Sequence, residues 1–207
     1  VGEEIVADKI EEAILVGLKD PTTILVLDID SPGGLGVELW KIVELLGRYA
    51  HTRSVAFVRQ AFSAAAIIAL TCDEIYMIPD AQIGAALGVV PLPDGTVMPV
   101  EEKQQSVARS RARRAAEIGG HSPLFAEKMM NPDPTLCVVT AVDGTKTVAE
   151  GSATEDVICA GGRLLTLTGS EAAGCGLAAG VVESFSALED VVPGASGWRP
   201  ASGFGSK

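Results

Sequence analysis

A run of Leu and β-branched residues at positions 24–29, interrupted only by Asp28, constrains the fold more than any other part of this sequence. Apolar residues occupy both faces of this run, which is typical of a parallel strand buried on both sides. Helical spacing of apolar residues occurs on each side of it, over residues 3–19 and residues 37–49. Further short apolar runs at residues 55–58 and 74–78 predict two more strands, the second closed by a proline. This alternation predicts an α/β fold with helices packed on a mainly parallel sheet.

The second half of the sequence departs from this alternation. Hairpin signals lie at residues 94–95 and 143–144, each an Asp-Gly pair between β-prone residues, with a helix predicted between them over residues 101–118. Residues 131–163 break the α/β rhythm and predict an inserted β element. We therefore expect one domain over residues 1–192, followed by a flexible tail rich in Gly, Ser and Pro over residues 193–207.

The charge and the pattern of reactive side chains exclude several functions. The net charge of −11 repels a phosphate backbone, so we expect no nucleic-acid partner. The four cysteines form no Cys-x-x-Cys pair, which gives no indication of a zinc site. His51 and His121 are the only histidines, and neither has the sequence context of a general base, so a Ser-His-Asp triad is not expected.

Ser63 follows a predicted strand and opens a helix of very small side chains over residues 64–70. Backbone N–H groups at the start of a helix can stabilise a developing oxyanion, which makes this hydroxyl a candidate nucleophile. Serine is also favoured for capping the start of a helix, and that role alone explains its presence. The local sequence leaves both interpretations open.

Gly33 and Gly34 form the end of a turn after the first buried strand. Two glycines allow the backbone to approach a ligand closely, although Pro-Gly is also the signature of an ordinary turn. Lys103 lies in the first turn of the helix predicted over residues 101–118. A lysine acts as a base only when burial or the positive end of a helix lowers its pKa, and an ordinary surface lysine is the simpler interpretation of this position alone.

These candidates gain weight from three segments taken together. The segments ILVLDIDSPGG at residues 24–34, FSAAAIIALTCDEIYMIPDAQIGA at residues 62–85 and LLTLTGSEAAGCGLAAGVV at residues 164–182 resemble the ClpP-like superfamily, and the resemblance extends over residues 3–192. Within this superfamily the sequence resembles NfeD-type membrane-bound serine peptidases, which are relatives of signal peptide peptidase A. The resemblance implies a ClpP/crotonase-like spiral of repeated β-β-α units.

The resemblance also implies the roles of individual residues. Ser63 corresponds to the nucleophile, and Lys103 corresponds to its base, 40 residues later. The backbone N–H groups of Gly33 and Ala64 correspond to the oxyanion-hole donors. Gly34 and Ala65 are then expected to contact the substrate; Ala65 stands where the family usually has glycine, two residues after the serine.

The implied function is a serine endopeptidase that cleaves apolar peptide segments with a Ser–Lys dyad and without a metal or cofactor. The expected partners are a stomatin-like membrane protein and a second copy of the chain in a homodimer. The chain is expected to be a soluble, extracytoplasmic domain of a membrane protein, with no transmembrane segment of its own. Two alternatives remain: a catalytically degenerate binding or assembly module, favoured by Ala65, and a crotonase-type acyl-CoA enzyme.

Overall fold

The fold is built on a five-stranded sheet in which four strands run parallel. The computed structural model describes residues 7–17, 20, 22–152, 156–194 and 197. The strands in these residues are β1 (Leu25–Ser31), β2 (Ser54–Phe62), β3 (Glu74–Gly84), β4 (Val89–Pro91), β5 (Val97–Pro99), β6 (Leu136–Thr140), β7 (Lys146–Glu150), β8 (Val157–Cys159), β9 (Thr166–Thr168) and β10 (Gly180–Val181). The main sheet has the order β1-β2-β3-β10, and β9 pairs antiparallel with β3. The mainly parallel sheet predicted from the sequence is confirmed.

Helices cover this sheet, and several of them match the helical patterns of the sequence. They are α1 (Ala7–Gly17), α2 (Gly36–Arg48), α3 (Ala64–Leu70), α4 (Glu102–Ile118), α5 (Pro123–Met130), α6 (Gly169–Gly174) and α7 (Leu188–Val191). The patterns at residues 37–49, 64–70 and 101–118 predicted α2, α3 and α4 to within one residue at each end. Of the helix predicted over residues 3–19, residues 3–6 and 18–19 lie outside the described residues. Helix α5 was not predicted.

Strand β2 is the centre of the core because both of its faces are buried. Its residues Val55, Ala56, Phe57 and Val58 are all completely inaccessible to solvent. Ala56 and Val58 pack in the main core between the sheet and its helices, whereas Val55 and Phe57 pack in a smaller cluster with the C-terminal segment. This two-sided burial is the physical reason for an apolar run without a polar face.

The carboxyl ends of β1, β2 and β3 lie at the same edge of the sheet. Ser31 pairs with Ala61 at the end of β1, and Phe62 pairs with Gly84 at the end of β3. Because the three strands are parallel, the turns that follow them meet at this edge. The fold thereby brings together three segments that are about 20 to 30 residues apart in the sequence.

Strand β3 continues past Pro79, where the sequence predicted that it would end. The pairing of β3 with β2 is interrupted at this point, since Met77 pairs with Val58 but the next pair is Gln82 with Gln60. Proline lacks the N–H that a strand donates, and this break in register lets it lie inside the strand. The prediction that Pro79 ends the strand was therefore wrong.

Two smaller sheets lie outside the main one. Strands β4 and β5 form the hairpin predicted around residues 94–95. Strands β6, β7 and β8 form a separate three-stranded antiparallel sheet within residues 131–163. The division into a domain at residues 1–192 and a tail at residues 193–207 stays a prediction, and most of that tail lies outside the described residues.

His121 yields a prediction about stability. Its Nε2 atom lies 2.9 Å from the carbonyl oxygen of Cys72 and donates a hydrogen bond to it, and burial holds its pKa below the ordinary value. The unfolded chain therefore takes up this proton at a higher pH than the folded chain. The stability contributed by the neutral imidazole is present above about pH 6.5 and is lost as the pH falls below that value.

We expect urea denaturation to show a smaller loss of unfolding free energy in His121→Gln than in the parent between about pH 7.5 and about pH 5.5. The exposed His51 provides the control, because His51→Gln leaves the partly buried His121 imidazole in place. Equal losses in His121→Gln and the parent would contradict the assignment.

Candidate active site

Ser63 occupies a strained turn between β2 and α3. Its backbone has φ 54° and ψ −124°, which places a residue with a side chain in the left-handed half of conformational space. Its hydroxyl makes no hydrogen bond that caps α3, so helix capping does not explain this serine. Such strain persists only where the surrounding structure enforces it, and it is concentrated at functional sites.

The end of β3 holds this turn in place. The Ser63 N–H donates a hydrogen bond of 3.0 Å to the Gly84 carbonyl. The next residue, Ala85, also has a positive φ, of 47°, and its N–H donates to the Leu165 carbonyl at 2.9 Å. Ser63 and Ala85 both have positive φ. They lie at the hydrogen bond between the Ser63 N–H and the Gly84 carbonyl, which joins the ends of β2 and β3.

Gly33 lies directly against the serine. A Cβ atom at this glycine would be 2.6 Å from Ser63 Cβ and 3.2 Å from Ser63 Oγ, and the glycine has φ 115°. Both the available space and the backbone conformation therefore require glycine here. The sequence placed Gly33 and Ser63 in one site, and the structure brings them into contact.

The two expected oxyanion donors are in different states. The Gly33 N–H donates to the Ser31 hydroxyl at 3.2 Å, so it must leave this partner before it can bind an oxyanion. The Ala64 N–H has no hydrogen-bond acceptor among the residues that the structure describes. Gly34 is exposed, whereas Ala65 is only 1% exposed and packs in the main core.

Lys103 is exposed on the first turn of α4. Within the described part of the chain it forms neither a hydrogen bond nor an ion pair, and the structure therefore does not join its Nζ to Ser63 Oγ. The carboxylate of the neighbouring Glu102 forms an ion pair of 2.5 Å with Arg109 and not with Lys103. The role of Lys103 as a base stays a prediction.

Helices α2 and α4 pack against each other. The Arg111 guanidinium lies 5.6 Å from the centre of the Trp40 ring, and Ile118 Cδ1 lies 3.0 Å from the position of a Cβ at Gly47. Both contacts join residues 71 positions apart, so the two helices run parallel and in step.

Gln105 is a site residue that the sequence did not indicate. It is 4% exposed, and its Nε2 atom donates a hydrogen bond of 2.8 Å to the Gly88 carbonyl. The Val100 N–H donates to the same carbonyl at 3.1 Å. Gln105 thus fastens the start of α4 to the segment that leaves β3. A glutamine in a polar helix carries no sequence signal that separates this role from an exposed position.

Several exposed apolar residues lie close in the sequence to the candidate site residues. All six residues of β4 and β5 are exposed on their two-stranded hairpin, which lies between Ala85 and Lys103 in the sequence. Two more apolar residues are exposed just after the Gly33–Gly34 turn. We call the exposed Leu and Val residues of this turn and the Val and Met residues of the hairpin the apolar rim: Leu35, Val37, Val89, Val90, Val97 and Met98.

Comparison with protein families identifies the family of this chain. A family model described as the NfeD1b N-terminal domain matches residues 3–158, which is most of the chain. The chain belongs to the NfeD1b family. The resemblance to NfeD-type proteins is thus confirmed.

A curated relative of this NfeD1b domain is the membrane protein NfeD1b of Bacillus subtilis (strain 168). It is 29% identical over 164 residues, which is 79% of this chain and 32% of the relative. The chain thus spans about a third of the length of that relative. No helix in the described ranges is both long and apolar enough to cross a bilayer.

Solved structures with the same fold include forms of 1510-N, a membrane-bound stomatin-specific protease. One alanine variant has a TM-score of 0.66 at 19% identity, covering 89% of this chain and 76% of that chain. Another, in complex with a substrate peptide, has the same TM-score and identity and covers 89% and 72%. A 1510-N membrane protease specific for a stomatin homolog from Pyrococcus horikoshii has a TM-score of 0.55 at 19% identity, covering 91% and 73%. The predicted ClpP-like fold is confirmed.

The contact between Gly33 and Ser63 yields a stability prediction. We expect Gly33→Ala to lower the free energy of unfolding by about 1–3 kcal/mol, because the added methyl group meets Ser63 at a positive φ. Gly36→Ala is the matched control three residues later, where a Cβ meets nothing within 4 Å. This substitution in the first turn of α2 should be neutral or stabilising by up to about 1 kcal/mol. Urea denaturation of both variants measures the difference, and equal stabilities would contradict the close approach.

Proposed function

We propose that this NfeD1b domain is a serine endopeptidase in which Ser63 is the nucleophile and Lys103 is the general base. The observation that carries the proposal is the strained Ser63 turn, whose hydroxyl caps no helix and lies against Gly33. A hydroxyl held at a strand-to-helix turn, beside a glycine backbone and next to the Ala64 N–H, has the arrangement needed for acyl transfer.

The reaction proceeds in two stages. Neutral Lys103 accepts the proton of Ser63 as Oγ attacks the carbonyl carbon of the scissile peptide. The N–H groups of Gly33 and Ala64 then donate hydrogen bonds to the oxyanion. Lys103 returns the proton to the leaving amine, and a water molecule activated by the same lysine releases the acyl group and regenerates Ser63. Neither a metal nor a cofactor takes part.

The apolar rim supports an apolar peptide as the substrate. An extended apolar peptide laid along the exposed hairpin would bury its apolar side chains, and Gly34 offers backbone groups for strand addition. Such a peptide would also cover the first turn of α4 and exclude water from Lys103, and removal of water is the condition under which a lysine amine loses its proton. Ala65 packs in the core, and its methyl group is compatible with an open cleft.

The names of similar proteins support a proposal for the partner and the cellular setting. We propose that the substrate is an apolar segment of a stomatin-like membrane protein, because 1510-N is described as stomatin-specific. We also propose that the domain functions as a homodimer and belongs to a membrane protein, on its extracytoplasmic side. The Bacillus relative is named as a membrane protein, which supports the proposal that this domain belongs to one.

Cleavage of an apolar peptide tests the dyad. Because the serine supplies the nucleophile and the lysine its base, we expect Ser63→Ala and Lys103→Ala each to lower kcat/KM by about 1,000-fold or more. Ser110→Ala and Lys146→Ala are the matched controls, since both residues are exposed and lie outside the proposed site. They should cleave at the parental rate.

The same experiment separates the alternatives. A parent chain that binds the apolar peptide without cleaving it, with binding unchanged in Ser63→Ala, indicates a degenerate binding module. The occupied Gly33 N–H and the unpaired Lys103 are the observations that favour that module. Cleavage lost in both dyad variants and retained in both controls would rule it out.

The apolar rim generates a prediction about substrate recognition. We expect Met98→Asp to lower kcat/KM for an apolar peptide by about tenfold or more through a higher KM, because burying an unpaired carboxylate is costly. Val142→Asp is the control, since Val142 is fully exposed at the tip of the β6–β7 hairpin. Steady-state kinetics on both variants measure the effect, and a similar KM change in both would place the recognition surface elsewhere.

A further inference from the structure

Lys128 on α5 is completely buried, although it carries a charged amine. Its exposure is 0%, and its Nζ donates hydrogen bonds to the carbonyl oxygens of Pro132 at 2.7 Å and Ala160 at 3.0 Å. Within the described residues it has no ion pair with a carboxylate. An ammonium group buried without a counter-charge is costly, and an unbranched apolar side chain would fill the space without that cost.

The Lys128 ammonium ties together two segments that leave different elements. Pro132 follows the end of α5, and Ala160 follows the end of β8. Around this bridge the Gly162 N–H donates to the Pro132 carbonyl at 2.7 Å, and the Gly161 N–H donates to the Thr135 hydroxyl at 3.1 Å. We call residues 131–135 and 160–165 together the lysine clamp.

The backbone of the same lysine continues this network towards the active site. The Leu165 N–H donates to the Lys128 carbonyl at 3.0 Å, and the Ala86 N–H donates to the Met129 carbonyl at 2.7 Å. The Leu165 carbonyl in turn accepts from the N–H of the strained Ala85 at 2.9 Å.

The contact at Gly84 is tight enough to transmit this restraint. A Cβ at Gly84 would lie 2.2 Å from the Leu165 carbonyl oxygen, so the two backbones are in direct contact. The Gly84 carbonyl accepts the hydrogen bond from the Ser63 N–H. A continuous series of backbone contacts therefore runs from the lysine clamp to the strained serine.

We propose that Lys128 is a positioning residue: its buried ammonium fixes the lysine clamp, which holds Gly84 and Ala85 in the conformation that fixes the Ser63 turn. Lys128 acts through this backbone and not on the substrate, because its Nζ is engaged by two carbonyls away from the site. The inference rests on the proposed function only in taking Ser63 as the reactive residue.

The substitution Lys128→Met tests this role, because it keeps the unbranched stem and removes the donors. Two measurements are made where parent and variant are both fully folded by circular dichroism. The first is amide hydrogen exchange at Ala85 and Leu165, which should become faster in the variant. The second is covalent labelling of Ser63 by a fluorophosphonate probe, which should slow by about 10- to 100-fold, the range expected when a reacting group is slightly misplaced.

A loss of stability elsewhere serves as the control. Leu188→Ala removes a completely buried side chain from the smaller core cluster on the other side of the sheet. At a matched distance below its own Tm, this variant should show parental exchange at Ala85 and Leu165 and parental labelling of Ser63. With a peptide substrate, Lys128→Met should lower kcat and leave KM nearly unchanged, because the apolar rim is intact.

A milder variant covers the case in which Lys128→Met does not fold. Thr135→Val removes only the acceptor of the Gly161 N–H next to the Ala160 carbonyl, and it should produce a smaller change in the same direction in both measurements. Unchanged exchange and labelling in whichever variant folds would overturn the positioning role, and so would an equal loss of labelling in Leu188→Ala. A parent that is never labelled at Ser63, with faster exchange in Lys128→Met, would refute the peptidase and leave the positioning of the turn supported.

Discussion

The hydrogen bond from the Ser63 N–H to the Gly84 carbonyl is the contact on which the whole site depends. It joins the ends of two neighbouring parallel strands, at residues that both have positive φ angles. Without parallel pairing of β2 and β3, the two ends would lie at opposite edges of the sheet. With it, a strained serine is held between a glycine turn from β1 and the backbone that follows β3.

Strain of this kind requires support from the surrounding packing. The Ser63 turn is followed by α3, whose seven residues are all buried, so the turn cannot relax by moving the helix. On its other side, the backbone of Gly84 contacts the backbone of Leu165, which belongs to the lysine clamp. The Ser63 turn is therefore held by residues of α3, β3 and α5 and by Leu165, which precedes β9.

The two halves of the candidate site contrast in this respect. Ser63 and Gly33 are in contact, whereas Lys103 is exposed on the first turn of a helix that is anchored through Gln105. The hairpin that lies between Ala85 and Lys103 in the sequence is exposed on both of its strands, and an isolated two-stranded hairpin is only marginally stable in water. A peptide that added a strand to this hairpin would stabilise it.

The sequence by itself determined the architecture of this protein. The apolar run at residues 55–58 predicts the two-sided burial of β2. Helical spacing of apolar residues predicts the core faces of α2 and α4, and an Asp-Gly pair predicts the β4–β5 turn. Each of these features depends on neighbouring residues only. The candidate residues Ser63, Gly33 and Lys103 came from a resemblance that extends over most of the chain, and the family itself is confirmed.

Only the tertiary structure decided how those residues are held. The passage of β3 through Pro79 depends on a break in its pairing with β2. Gln105 and Lys128 look like surface residues in a polar helix and a short helix, and their burial is set by what packs against them from distant parts of the chain. The strain at Ser63 likewise arises from contacts with residues about 20 to 100 positions away, which no local pattern of amino acids can encode.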